Sequence, residues 1–98
     1  MLVTGARSLL GRVTVERLLA QGDEVTVLQR HEAGLPCAEV LADIADADAV
    51  ARGAYGQDAV LHLAAKVDVT GRWAEFARTN IDGTRAVLAA CRSAGVPR

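Results

Sequence analysis

The chain has 98 residues, enough for one small domain with a thin hydrophobic core. About half of it (51%) is hydrophobic but only 3% is aromatic, so Val, Leu, Ile and Ala must build that core. A net charge of −1 gives no basis for nucleic-acid binding, and no apolar run reaches the roughly 18 residues of a membrane span. The chain has no signal-type start, so we expect a cytoplasmic protein that neither binds nucleic acid nor spans a membrane. Cys37 and Cys91 lack metal-ligand spacing, which predicts two reduced thiols and no metal site.

The first 22 residues predict a strand, a turn and a helix. Residues 2–4 are a short β-rich run that leads directly into a glycine turn. Val15, Leu18 and Leu19 then fall on one face at helical spacing. Gly22 predicts the end of this helix, because glycine readily adopts the left-handed conformation of a C-terminal cap.

The next 30 or so residues predict two further strands and a short helix. The β-branched run 24–28 has strand length, and the polar segment 29–36 predicts a loop. A weaker strand spans 39–42. Asp46 is a suitable N-cap for a helix over 47–52, because its carboxylate can accept unpaired backbone N–H groups of the first turn.

The last part of the chain predicts one buried strand and one long helix. The run AVLHLAA at 59–65 is nearly all apolar, which is typical of a strand covered on both faces. A helix is predicted over 73–94, with a kink near 80–83, and Gly95 and Pro97 end it. The residues expected on its buried stripe are Ile81, Thr84, Val87, Leu88 and Cys91. Strands interspersed with helices predict an α/β fold with a doubly wound parallel sheet.

The glycine turn TGARSLLG, residues 4–11, lies between a predicted strand and a predicted helix. This is the context of a dinucleotide-binding loop, in which small residues let a pyrophosphate approach the N–H groups at the helix N-terminus. Gly11 would let the helix press closely on the sheet. An ordinary strand-to-helix turn can also contain two glycines, so the turn alone leaves both interpretations open. No Gly-Lys-Ser/Thr follows, which argues against a P-loop.

The turn is similar to the TGxxGxxG turn of the short-chain dehydrogenase/reductase superfamily. Gly5 and Gly11 are in place, whereas Ser8 stands at the middle glycine position. Serine tolerates fewer backbone conformations than glycine, so we expect either a negative φ at Ser8 or weaker cofactor binding. The Ser8 hydroxyl is also a candidate donor to a phosphate oxygen.

Three further segments carry the same resemblance, in the family's order. They are DIAD at 43–46, similar to D-L/I-x-D; HLAA at 62–65, similar to H-x-A-A; and NIDGT at 80–84, similar to N-V/I-x-G-T. With 66–69 and the tail 90–96, the chain most resembles the extended members, in particular the 3β-hydroxysteroid dehydrogenase/NAD-dependent epimerase-dehydratase group. The resemblance covers essentially all of the chain.

The resemblance implies a Rossmann-type sheet, truncated to the strand order 3-2-1-4, and a single NAD(P)-binding domain over residues 1–98. It implies the N-terminal fragment of an oxidoreductase that acts on CH–OH groups by hydride transfer with the nicotinamide. The part beyond this fragment would hold most of the small-molecule substrate. The implied cofactor contacts are Gly5, Arg7, Ser8, Leu9, Leu10, Gly11, Arg30, Asp43, Ile44, Leu63, Ala64 and Ala65.

The choice between NAD(H) and NADP(H) depends on the end of the second strand. A carboxylate there usually binds the adenosine ribose hydroxyls and favours NAD, but this chain has Gln29 followed by Arg30. Arg7 directly precedes Ser8, and at the position of Arg7 the family members that use NADP often carry a basic residue. Two guanidinium groups near a 2′-phosphate would make charge-assisted contacts, so we predict a slight preference for NADP(H). Both arginines also have a plain interpretation as solvated surface residues.

Three polar residues have candidate roles beside structural alternatives. Asn80 matches by motif the catalytic asparagine that shapes a helix kink and holds a water in the proton relay, or it caps the second half of its helix. His62 has apolar strand neighbours, which favours a packed histidine near the cofactor cleft over a general base. Asp43 is expected to accept from the adenine amino group, with the end of a strand as the alternative.

The acid/base residues of the superfamily, a Ser and a Y-x-x-x-K pair, are absent from this chain. Tyr55 is the only tyrosine and has no lysine at that spacing, and the only lysine is Lys66. We therefore expect no turnover by the 98-residue chain alone. The unpaired outer edge of strand 59–65 predicts self-association through that edge, with a native homo-oligomer as the alternative. The alternatives are a sugar-nucleotide epimerase or dehydratase, and a non-catalytic NADP(H)-binding redox-sensing module.

Overall fold

The computed structural model describes residues 1–64 and 73–98. Four strands form one sheet: β1 Leu2–Thr4, β2 Thr26–Gln29, β3 Ala38–Leu41 and β4 Val60–His62. Each paired strand runs parallel to its neighbour, and the order is β3-β2-β1-β4. This sheet confirms the α/β class and the Rossmann-type strand order. β1 has the predicted bounds, and the bounds of the other three strands differ from the predicted ones by one to three residues. Gln29 ends β2 instead of opening the following loop.

The helices are α1 Leu9–Ala20, α2 Ala47–Ala54, α3 Trp73–Phe76 and α4 Gly83–Ala94, with a π-helical turn at Ala77–Asp82 between the last two. A single kinked helix was predicted over this last region. The interruption is instead a six-residue π-helical turn, in which backbone bonds span five residues and the regular helical phase is shifted.

The sheet lies between two layers of helix. Leu2 and Val3, both fully buried, point to opposite faces of β1, as successive strand residues do. Val3 packs in a cluster with Val15 of α1, and Leu2 packs in a second cluster with Val50 of α2 and Val87 of α4. The doubly wound arrangement is therefore present, and the carboxyl ends of the strands meet at one open edge.

The buried stripe of the last helix differs from the prediction. Val87 is buried, but Ile81 is 40% and Leu88 is 60% exposed, so these two assignments were wrong. Gly83 and Ala90 are buried instead. Ile81 belongs to the π-helical turn, where the 3.6-residue period does not apply, and Leu88 lies about 100° around the helix from the buried line through Val87.

The predicted C-terminal cap of α1 and N-cap of α2 are confirmed, whereas α2 ends at Ala54 and not at the predicted Arg52. Gly22 has φ +86°, and its N–H donates to Leu19 O at 3.0 Å while the N–H of Asp23 donates to Leu18 O at 3.1 Å. These two bonds form a Schellman cap on α1. Asp46 caps α2 by accepting the N–H of Ala49 at 3.2 Å. None of the helices within the two described ranges has the length and apolarity needed to cross a membrane.

Candidate functional site

A cleft of about 260 Å³ lies at the carboxyl edge of the sheet. In open α/β sheets, ligands bind at this edge, where the strand order reverses, and here the reversal falls at β1. The predicted contact residues that line the cleft are Gly5, Arg7, Ser8, Arg30, Asp43, Ile44, Leu63 and Ala64. The structure thus brings together the glycine turn, the end of β2, the segment after β3 and the end of β4.

The lining of the cleft and the set of predicted contact residues differ at several positions. Leu9, Leu10, Gly11 and Asn80 are not among its lining residues, and Ala65 lies outside the described residues. Lining residues that were not predicted as contacts are Leu28, Gln29, His31, Ala42 and Thr79. Most of these directly end or follow a strand, so the rule that ligands bind at carboxyl ends would have found them. No comparable signal marks Thr79, which belongs to the π-helical turn.

The glycine turn is compact because two backbone segments approach it closely. A Cβ on Gly5, whose φ is +76°, would lie 2.7 Å from Ala64 N and Leu63 C at the end of β4. A Cβ on Gly11 would lie 2.0 Å from Gly5 O. Gly11 therefore lets α1 press on the turn itself, where close packing on the sheet had been expected.

Ser8 is the N-cap of α1. Its φ is −70°, so the turn keeps the negative φ that a serine needs. Its Oγ accepts the N–H of Gly11 at 3.0 Å and donates to Gly5 O at 2.9 Å, so the hydroxyl hydrogen is used within the turn and not for an outside acceptor. The N–H groups of Leu9 and Leu10, the first two helical residues, have no hydrogen-bond partner in the described part of the chain. They are the donors that a capped helix still offers to an anion.

The end of β4 is tied to β1 through a buried threonine. Thr4 is fully buried, and its Oγ1 accepts the N–H groups of Leu63 at 3.0 Å and Ala64 at 3.1 Å. With both lone pairs used, the Thr4 hydroxyl donates to Nδ1 of His62 at 2.8 Å. This arrangement fixes the backbone that forms the cleft wall opposite the glycine turn.

His62 continues this hydrogen-bond chain toward Asn80. Because Nδ1 accepts, the ring proton is assigned to Nε2, which donates to Thr84 Oγ1 at 3.0 Å. The Thr84 hydroxyl then donates to the Asn80 carbonyl at 2.7 Å. Burial lowers the pKa of His62, in agreement with a neutral ring. The geometry favours the packed histidine over the general base, and it attaches the π-helical turn to the sheet.

Asp43 presents a carboxylate in the cleft. One of its oxygens accepts the N–H of Ala45 at 2.9 Å, and the other forms an ion pair with the Arg78 guanidinium. Burial by itself raises the pKa of Asp43, but the bonds from Ala45 and Arg78, with the charges of Arg78 and Arg30, lower it overall. Asp43 is therefore charged near neutral pH. Arg78 is a partner that sequence reasoning missed, since it lies 35 positions along the chain without a motif.

Residues 1–98 match the model of the NAD dependent epimerase/dehydratase family. The chain belongs to this family. Among curated proteins, the chain is 38% identical over 96 residues to L-arabinose 1-dehydrogenase (NAD(P)(+)) of Haloferax volcanii, covering 98% of this chain and 37% of that protein. It is 33% identical over 105 residues to the 3 beta-hydroxysteroid dehydrogenase/Delta 5-->4-isomerase of Monkeypox virus, covering 96% and 30%.

A solved structure of the same superfamily has the same fold. It is a short-chain dehydrogenase/reductase superfamily protein from Agrobacterium tumefaciens with bound NAD, 33% identical, with a TM-score of 0.90 over 97% of this chain and 29% of that one. These findings confirm the resemblance to the short-chain dehydrogenase/reductase superfamily and to its 3β-hydroxysteroid dehydrogenase and epimerase-dehydratase members. The chain spans about a third of the length of the three relatives named here.

The cleft of this family member fits a nicotinamide adenine dinucleotide in the chemistry of its donors and acceptors. The guanidinium groups of Arg7 and Arg30 line the cleft and are suited to phosphate oxygens. The unpaired N–H groups of Leu9 and Leu10 are outside its lining but directly follow Ser8, which lines it, and they are suited to the same oxygens. Asp43 supplies an acceptor for an amino group, and Leu63 and Ala64 supply an apolar wall. Within the described ranges, no group of three or more His, Cys, Asp or Glu residues could hold a metal ion.

Proposed function

We propose that residues 1–98 are the NAD(P)-binding domain of an oxidoreductase that acts on CH–OH groups by hydride transfer. The observation that carries this proposal is the position of the cleft. It opens at the carboxyl edge of a parallel sheet, beside a helix N-terminus whose first N–H groups are unpaired in the described structure. Family membership supports the same reaction class, because the curated relatives named above are dehydrogenases.

The roles proposed for the site residues follow the cleft from end to end. The diphosphate would lie at the N-terminus of α1, against the turn from Gly5 to Gly11 and the N–H groups of Leu9 and Leu10. Asp43 and Ile44 would contact the adenine. The end of β4 with Ala65 would lie against the ribose on the nicotinamide side. Asn80 is proposed as the tetrad asparagine, and its carbonyl is held by Thr84 at 2.7 Å.

We propose a slight preference for NADP(H) over NAD(H). Arg7 and Arg30 both line the cleft, from the turn after β1 and the loop after β2. Gln29, which precedes Arg30 and lines the same cleft, is uncharged, so it would not repel a 2′-phosphate as a carboxylate would. The solved neighbour contains NAD, and the arabinose dehydrogenase is described as using NAD(P)(+), so relatives include both kinds of cofactor use.

The substrate would be an alcohol on a ring or sugar carbon. Similarity to a 3 beta-hydroxysteroid dehydrogenase supports a hydroxysteroid or sterol, which is our first candidate. The 38% identity to L-arabinose 1-dehydrogenase and the epimerase/dehydratase family model favour a sugar or sugar nucleotide as the second. Tyr55 is 81% exposed at the end of α2, next to residues at the amino edge of the sheet, so it is not a substitute for the catalytic tyrosine. We propose that the 98-residue chain binds cofactor without turning over substrate.

The experiment is a calorimetric titration of the purified chain with NADPH and, separately, with NADH. We expect NADPH to bind several-fold more tightly than NADH. R30A should weaken NADPH binding roughly tenfold and leave NADH binding unchanged. R52A is the matched control, because Arg52 is an exposed arginine on α2 outside the cleft lining. Binding of neither nucleotide would overturn the function, and equal or tighter NADH binding would overturn only the NADP(H) preference.

A further inference from the structure

Gln29, the last residue of β2, has an amide with only one end satisfied. The side chain lines the cleft and is 8% exposed. Its Nε2 donates to Oε2 of Glu39, on the neighbouring strand β3, at 2.8 Å. Its Oε1 is buried and has no hydrogen-bond partner among the residues that the structure describes. A buried acceptor without a partner is uncommon in folded proteins and indicates a missing donor.

Glu39 determines which end of that amide is unsatisfied. A carboxylate has acceptors only, so the Gln29 side chain must turn its NH2 group toward Glu39 and its oxygen away. The amide therefore cannot exchange the positions of its oxygen and nitrogen without losing the bond to Glu39. The carboxylate, which is not itself a lining residue of the cleft, thereby fixes an acceptor at the cleft wall.

Glu39 also holds the loop that follows β2. Its Oε2 accepts the N–H of Ala33 at 3.2 Å, and the carbonyl of Ala33 accepts from the Arg12 guanidinium of α1. Ala33 is 7% exposed, so this loop is fixed from both sides at a buried point. The same loop begins with Arg30, which lines the cleft. The Glu39 carboxylate thus orders both the acceptor atom Gln29 Oε1 and the loop that carries Arg30.

We propose that Glu39 is a positioning residue for the adenosine ribose, and that it makes Gln29 Oε1 an acceptor for the ribose 3′-hydroxyl. This inference rests on the proposed function. A hydroxyl supplies the donor that Oε1 lacks, and the 3′-hydroxyl is present in both NAD(H) and NADP(H). Because Oε1 is covered, binding must shift the neighbouring side chains slightly. The neutral amide can accept this bond beside a 2′-phosphate that Arg7 and Arg30 neutralise, which a carboxylate at position 29 would repel.

The test compares binding of AMP, 2′-deoxy-AMP and 3′-deoxy-AMP to the 98-residue chain. In the unmodified protein we expect 3′-deoxy-AMP to bind roughly fivefold more weakly than AMP, the usual effect of one hydrogen bond. In E39Q, residue 39 can donate to Gln29 Oε1 and let the amide turn over, so this ratio should fall toward one. Q29M, which keeps the size but removes the amide, should give the same result. E32Q is the matched control, because Glu32 is an exposed acid in the same loop.

Each outcome separates this inference from the proposed function. If AMP binds and E39Q and Q29M keep the ratio of the unmodified protein, the role of Glu39 is overturned while the function stands. The role of Glu39 is also overturned if E39Q weakens the binding of AMP and of 3′-deoxy-AMP equally, or if it weakens only the binding of 2′-deoxy-AMP. If thermal unfolding shows that E39Q does not fold, the Q29M ratio decides. If the unmodified chain binds neither AMP nor NAD(P)H, the proposed function itself fails.

Discussion

Gly5 meets two constraints in the first turn after β1, and a substitution can separate them. Its φ of +76° disfavours any side chain, and the end of β4 leaves no space for a Cβ. Gly56 has the same φ of +76° but no heavy atom within 4 Å of its would-be Cβ. We expect G56A to cost about 1–2 kcal/mol in free energy of unfolding, from the left-handed backbone alone.

G5A should cost about 1–3 kcal/mol more than G56A, since its Cβ would lie 2.7 Å from backbone atoms of Leu63 and Ala64 that cannot move aside alone. Urea unfolding of the two variants measures the difference. Equal losses in both variants would show that the end of β4 does not press on the turn as described.

His62 gives the protein a pH-dependent stability. Its pKa is lowered by burial, so the unfolded chain binds the proton more readily than the folded chain. The free energy of unfolding should therefore be at its full value above pH 6.5 and should decrease as the pH falls through the folded-state pKa. H62Q should remove this decrease. The measurement is urea unfolding between pH 7.5 and 5.5.

His31 provides the control for this prediction, because it is the other histidine of the chain and its side chain is exposed. H31Q should retain the pH dependence of the unmodified protein. If the decrease in the free energy of unfolding at low pH persists in H62Q and disappears in H31Q, the pH dependence comes from His31, and this prediction is wrong.

At the level of residues, the sequence was informative where a single position carries the constraint. Gly5 and Arg7 could be placed in the cleft from the resemblance of the turn to the family motif, and the structure has them there. The bond between Glu39 and Gln29 could not be inferred, because it is a side-chain contact between neighbouring strands whose residues are ten positions apart. The same holds for Arg78, whose partner Asp43 is brought near only when the last helical region packs on the sheet.

Two glycines on packed helices should respond oppositely to alanine. A Cβ on Gly83, the first residue of α4, would lie 2.7 Å from Cγ2 of Ile44, a β-branched side chain that is 7% exposed and cannot turn away. G83A should therefore lower the free energy of unfolding by about 1 kcal/mol, the overpacking cost exceeding the gain in helix propensity.

G53A is the matched variant in α2. The nearest atoms to its Cβ would be side-chain carbons of Leu2 and Leu28 at 3.5 Å, which is ordinary contact. The gain in helix propensity should then dominate and stabilise the protein by about 0.5 kcal/mol. Thermal unfolding of both variants checks the signs, and a stabilising G83A would contradict the close packing of α4 on Ile44.

At the level of elements, periodicity predicted the existence of each element better than its internal geometry. The apolar pattern over 73–94 is continuous, so it gives one helix where the structure has α3, a π-helical turn and α4. The Thr84 hydroxyl donates to the Asn80 carbonyl, which would accept the N–H of residue 84 in a regular α-helix. His62 in turn holds that hydroxyl from the sheet. A tertiary contact thus accompanies the irregularity, and local sequence does not encode it.

For the whole molecule, the alternation of strands and helices was sufficient to predict a parallel sheet, and the family motifs supplied the strand order. What neither supplies is how far the outer edge of β4 is covered. In the described structure β4 pairs with β1 alone as a strand, and on its other side the N–H of Val60 donates to Arg98 O at 2.8 Å. Arg98 therefore covers the start of this edge, and within residues 1–64 and 73–98 the remainder of the strand has no strand partner on that side.

We expect this open edge to associate with a second copy of the chain, because unpaired backbone groups of an edge strand accept another strand. Sedimentation velocity should show a dimer fraction that rises with protein concentration. The sheet has a second edge at β3, where Leu41 is 54% exposed, so L41K distinguishes the two. A lysine there should leave association unchanged if β4 is the contact, whereas loss of the dimer in L41K would place the contact at β3. A single monomeric species at millimolar concentration would refute association through either edge, and would indicate that the bond from Val60 to Arg98, with only three residues in β4, protects the edge sufficiently.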